Sequence, residues 1–199
     1  MGRFVCIRTN SARHHSARTF AVAGMGASLS WFAVRGKTPE AVLQDFGLKN
    51  VGKEYHKTRF CGGALPSGWF LVIHGRHEFT NDEVRRLSRG GEVIACFVEE
   101  HVMVSRAAGW KDGEPIWSVT HDAQEGDGHL DVEGEPPAGF ATIRDRLTRQ
   151  QEEDGGADFI FNIPVDLARE ITGYSHEERP EIALDNFMKP TFFQRVFGR

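Results

Sequence analysis

VIACFVEEHVMVSRAAGWKDGEPIWSVTH (residues 93–121) reads as three strands in succession: Val93–Val98, His101–Ala107 and Ile116–His121. Apolar residues recur at short spacing in each run, and Lys111-Asp112-Gly113-Glu114 separates the last two. An Asp-Gly pair between such runs is a strong hairpin signal, because both residues tolerate the positive φ that a tight two-residue turn demands. With Asp112 and Gly113 as the loop, strict pairing sets Trp117 opposite Ala108 and His121 opposite Val104.

Working outward, Ser28–Val34 alternates Ser28, Ser30, Phe32, Val34 against Leu29, Trp31, Ala33, which predicts a first strand with one strongly buried face. Thr38 then caps a helix, with Pro39 at its first position, Val42, Leu43 and Phe46 as its apolar stripe, and Gly47 to close it. Residues 48–68 read as a polar, Gly-rich loop leading to a strand at Trp69–His74. Thr80 and Glu83 form a capping box, bracketed by Phe79 and Val84 as a hydrophobic staple, and the helix ends at Gly90 or Gly91. Downstream, a short strand is expected at His129–Val132. Pro136 and Pro137 open a helix striped by Phe140, Ile143 and Leu147, and DFIFN (158–162) reads as a strand. Ile163, Leu167 and Ile171 stripe a fourth helix ending at Gly173. The fold class is α+β: one domain over 25–176, a mostly antiparallel sheet and three to four short helices on one face.

Residues 1–24 contain Arg3, Arg8, Arg13 and Arg18 and no acid, and they read as a leader outside the domain with Met25 as the effective start. Residues 177–199 read as a tail, in which Phe192, Phe193, Val196 and Phe197 share a helical spacing. Without the leader the chain holds 20 basic and 28 acidic residues, a net charge of −8. Such a body repels phosphate backbones, so nucleic acid is not an expected partner. No run is long and apolar enough to span a bilayer, so no membrane partner is expected. Three cysteines, Cys6, Cys61 and Cys96, in no CxxC arrangement argue against a disulfide scaffold and make the cytoplasm the default.

One polar constellation stands out. The hairpin brings Glu99, Glu100 and His101 to the same sheet end as Thr120, His121 and Asp122. Two imidazoles with a carboxylate could ligate a divalent ion, and an imidazole held by Asp122 could act as a general base. Against this, no established ligand spacing is present. Glu99 and Glu100 suit a tight turn, and Thr120–Asp122 suits a strand end capped by its own side chains. His74 and His77 read as loop residues at a strand end, and Cys61 reads as a partly buried thiol. Trp110 and Trp117 read as core, with an aromatic wall as the alternative. The glycines Gly24 and Gly26 precede a strand and lack a third glycine, so no dinucleotide motif is formed. The acidic run 122–135 puts Asp127 where a calcium loop needs glycine. No cofactor and no metal are expected.

Across MGASLSWFAVRGKTPEAVL (25–43), CFVEEHVMVSRAAGWKDGEPIWSVTHDAQ (96–124) and FNIPVDLAREITGY (161–174) the chain resembles a group of small bacterial proteins without an assigned activity. The resemblance covers roughly 25–176 and implies a start at Met25; it carries no catalytic residue, cofactor or substrate. The expected function is a non-enzymatic binding or accessory protein, of immunity type or similar, whose acidic surface meets a protein partner. The alternative is a small metal-dependent or His/carboxylate hydrolase at the end of the 101–121 hairpin.

Overall fold

The three-strand run forms one half of a larger sheet. A computed structural model describes residues 26–53, 59–75, 78–154, 156–178 and 180–190. In chain order the elements are β1 (Ser28–Arg35), α1 (Pro39–Phe46), β2 (Lys49–Gly52), β3 (Phe60–Ala64), β4 (Phe70–Gly75), α2 (Asn81–Ser88), β5 (Glu92–Glu99), β6 (Val104–Lys111) and β7 (Glu114–Asp122). They continue with β8 (Asp131–Gly134), α3 (Gly139–Asp154), α4 (Asn162–Thr172) and β9 (Asp185–Met188). The described strands make one sheet in the order β2-β9-β3-β4-β1-β5-β6-β7-β8, with every pair antiparallel. This is the expected α+β class.

Local signals explain much of the framework. The Thr38 hydroxyl accepts from the Ala41 amide at 3.3 Å, and Gly47, at φ 71°, returns its N–H to the end of α1. Both arms of the capping box on α2 are made: Glu83 N–H to Thr80 Oγ1 at 3.3 Å, and Thr80 N–H to Glu83 Oε2 at 3.0 Å. Asp112 (φ 51°) and Gly113 (φ 89°) both adopt the left-handed conformation at the hairpin tip, as the Asp-Gly pair predicts.

Helix placement differs from expectation, because both faces of the sheet are covered. Phe32 and Val34 of β1 pack in a cluster with Val42, Leu43 and Phe46 of α1 and Val84 and Leu87 of α2. Trp31 and Ala33 pack on the opposite side with Ile143 and Leu147 of α3 and Ile163, Leu167 and Ala168 of α4. The sequence misleads here because Ser28 and Ser30 make one side of β1 look solvated. The next two residues on that side, Phe32 and Val34, are buried. Strands apolar on both faces need cover on both faces.

Three further corrections concern segments. Residues 48–68 hold β2 and β3 rather than a featureless loop. DFIFN forms the turn into α4 instead of a strand, since Asp158 Oδ1 accepts from the Phe161 amide at 3.1 Å and closes the chain locally. The expected tail contributes β9, which is inserted between β2 and β3 and buries Phe187 in the α1/α2 cluster. The leader 1–24, Met25, His77 and the tail phenylalanines 192, 193 and 197 lie outside the described residues. Among the described residues no helix is long and apolar enough to cross a membrane.

The β6–β7 pairing slips by one residue. Lys111↔Glu114 and Trp110↔Pro115 obey strict hairpin counting, but the ladder then runs Gly109↔Trp117, Ala108↔Ser118 and Ser105↔His121. Ile116 is the extra residue of a β-bulge. Pro115 has no N–H to give to the ladder, and Gly109 leaves space for the Trp117 ring: a Cβ there would lie 2.2 Å from its Nε1. Beyond the bulge every β7 side chain exchanges faces.

Candidate functional site: a groove beside an acidic sheet edge

That exchange dissolves the constellation read from the sequence. Under strict counting His121 would share a face with Val104 and Glu99, which pair across β5 and β6. Instead it pairs with Ser105 and points under the α3/α4 layer, fully buried. Its Nδ1 lies 2.7 Å from the carbonyl oxygen of His129, its Nε2 lies 2.9 Å from Asp158 Oδ2, and its ring meets Phe161 edge-on. A carbonyl can only accept, so Nδ1 carries a proton. This is an internal clamp with no open position for a ligand.

The other predicted residues serve separate local ends. Glu99 accepts from the Ser28 hydroxyl at 2.5 Å and lies 2.7 Å from His101 Nδ1. Burial opposes the Glu99 charge more than any other single influence. The donors from Ser28 and from the ring and backbone of His101 together outweigh it and hold the carboxyl below its ordinary value. Glu100 accepts from the Ala27 amide at 2.6 Å and lies 3.4 Å from His176 Nε2, fastening the entry to β1. His101 is exposed in the β5–β6 turn. Asp122 accepts from the Gln124 amide at 2.9 Å, the strand-end cap that its sequence position suggests. The register keeps Asp122 in one row with Val104 and Glu99, and Glu99 touches His101, but His121 is withdrawn to the opposite face of the sheet. Among the described residues no three His, Cys, Asp or Glu side chains are grouped to hold a metal ion. Cys61 is buried and disulfide-bonded, so it is not a thiol nucleophile, and burial pushes the Cys96 thiol far above its ordinary value.

The opening on the surface lies elsewhere, on the half of the α1/α2 face that those helices leave bare. Four strands align there by register. One row is Ala95, Ala108, Ser118 and Glu133; the next is Phe97, Arg106, Thr120 and Asp131. Of the first row, the small side chains of Ala108 and Ser118 make a floor. Trp110 with Asn81 and Arg85 of α2 makes one wall, Arg106 makes the other, and β8 forms the rim of a cavity of about 440 Å³. Trp110 and Trp117 are both buried, as the core reading has it, in clusters on opposite faces, and both also reach the lining of the cavity.

Both arginines of the groove are already engaged. Arg106 donates to Thr120 at 3.1 Å and pairs with Glu78 at 3.2 Å; Arg85 pairs with Asp82 at 3.0 Å and stands 5.7 Å from the Trp110 ring centre. Ser118 donates to Glu133 at 3.1 Å. Among the described residues that line the cavity there is no histidine or cysteine. Among the described residues no Lys or Arg pairs with the carboxylates of the β8 rim. Residues 112–143 contain eight carboxylates and neither Lys nor Arg, and every residue of β8 is exposed.

Sequence reasoning noticed the acidic run but not the groove. Ala108 and Ser118 lie on different strands, and only the bulged register sets them side by side. No family model, no curated protein and no solved structure matches the chain.

Proposed function

We propose that this chain is a binding module that engages a cationic protein partner through the groove and the acidic β8 rim. The observation carrying the proposal is the pairing of a preformed concavity with an exposed acidic edge that no Lys or Arg neutralises among the described residues. Interfaces of this kind take an apolar or small-residue centre and a charged rim that steers the partner and sets its orientation. Ile116, exposed beside the groove, supplies apolar surface next to the charge. An accessory or immunity-type role accords with such a surface, whereas a hydrolase reading needs His121 open to a ligand and its ring is fully buried against Asp158.

Titration with poly-L-lysine, followed by backbone amide shifts, tests this. Saturable shifts should concentrate at residues 116–135 and weaken steeply with added salt, since exposed charges are screened beyond about 10 Å at 0.1 M ionic strength. Poly-L-glutamate should leave the spectrum unchanged. Shifts centred on the acidic end of α3, Glu152–Asp154, or spread over every carboxylate would refute the assignment.

A further inference from the structure

β8 ends the sheet: β7 pairs with one of its sides, and its other side meets no strand among the described residues. A strand edge presents a row of backbone donors and acceptors that another extended chain can pair with, and proteins normally blunt or cover such edges. Here the edge carries charge of one sign. Asp131 and Glu133 stand on the groove face beside Thr120 and Ser118, while Val132 stands on the opposite face beside Val119. Val132 is 39% exposed, although its neighbour Val119 is completely buried.

We propose that β8 takes an extended segment of a partner protein as a tenth strand, and that the segment alternates basic, apolar, basic. The proposal rests on the binding-module reading above and specifies its mode. Alternation follows from the pleat. Residues of an added strand opposite Asp131 and Glu133 must project to the groove face, where a cation is favoured, and the residue between them must project beside Val132, where an apolar side chain buries surface. The same charges select against a second copy of this chain, because pairing β8 with itself brings carboxylates together across the new ladder.

The probe is an eight-residue peptide alternating lysine and valine, blocked at both ends and compared with its block-order isomer of four lysines followed by four valines. The alternating peptide should bind at least tenfold more tightly, and amides of residues 131–134 should gain hydrogen-exchange protection when it is bound. Asp131→Lys with Glu133→Lys should lower that affinity at least tenfold while leaving the thermal midpoint near that of the parent, both side chains being exposed. Equal affinity for the two peptide orders, or no added protection at 131–134, overturns strand addition while poly-L-lysine binding at 116–135 still upholds the module. Failure of poly-L-lysine itself overturns both. Concentration-dependent dimerisation that protects 131–134 without any peptide makes a second copy the occupant and also overturns the proposal.

Discussion

Ile116 sets which way His121 points. One unpaired residue between Pro115 and Trp117 turns the rest of β7 over, so an imidazole that strict counting aims at Glu99 is buried against Asp158 instead. Glu99 keeps a local role, and that role titrates. Its carboxyl is held low despite burial by Ser28 and His101, and Glu92 is held low by hydrogen bonds from Arg35 first and Lys111 second. A carboxyl lowered in the folded state adds stability above its unfolded value, ordinarily 4.5, and that stability is lost as pH falls through the lowered folded value. Glu92→Gln with Glu99→Gln should therefore flatten the acid limb of a stability–pH curve below about pH 4.5. A limb of unchanged steepness in denaturant midpoints between pH 5 and pH 2 would place the acid sensitivity elsewhere.

At the scale of elements, the short helices depend on their ends. α2 spans only eight residues, too few to persist alone in water, so its cap and its packed face must act together. The capping box satisfies orphan amides at the start, and Val84 and Leu87 bury against Phe32 and Val93 in the cluster beneath. Thr80→Ala removes the acceptor for the Glu83 amide and should cost about 1 kcal/mol. Urea unfolding that shows an unchanged midpoint with an unchanged slope would mean that the cap contributes nothing. Because α2 also supplies Asn81 and Arg85 to the groove wall, the same variant should weaken poly-L-lysine binding only slightly. The rim carries the charge, and α2 carries the shape.

Across the whole molecule, the His121 clamp joins parts that no local signal connects. It ties β7 to the 123–130 loop through the His129 carbonyl and to the α3–α4 corner through Asp158, while Ser105 donates to the Phe161 carbonyl at 2.6 Å beside it. His121→Ala opens a cavity and leaves Asp158 Oδ2 without its ring partner, while Oδ1 keeps the Phe161 amide. Asp158 is 19% exposed at its side chain, so water offsets part of that loss. A destabilisation of about 2–3 kcal/mol is expected, in the range for an unpaired, partly buried polar group plus a cavity. Chemical denaturation showing less than about 1 kcal/mol would remove the clamp from the account of stability.

The sequence by itself determined the elements whose causes lie within a few residues: the Thr38 and Thr80 caps, the Gly47 and Gly173 stops, and the Asp112-Gly113 tip. These are short-range events of hydrogen bonding and allowed dihedrals, visible in any window that contains them. It also determined that residues 112–143 carry carboxylates without Lys or Arg. Tertiary structure alone decided that helices cover both faces, that β9 joins β2 to β3, and that Ile116 bulges. Each depends on which distant strand lies alongside, and burial of both sides of β1 becomes evident only when α1, α2, α3 and α4 are in place. The groove belongs to the same class. Its floor sets Ala108 of β6 beside Ser118 of β7, and a row across strands exists only once the register that aligns it has formed.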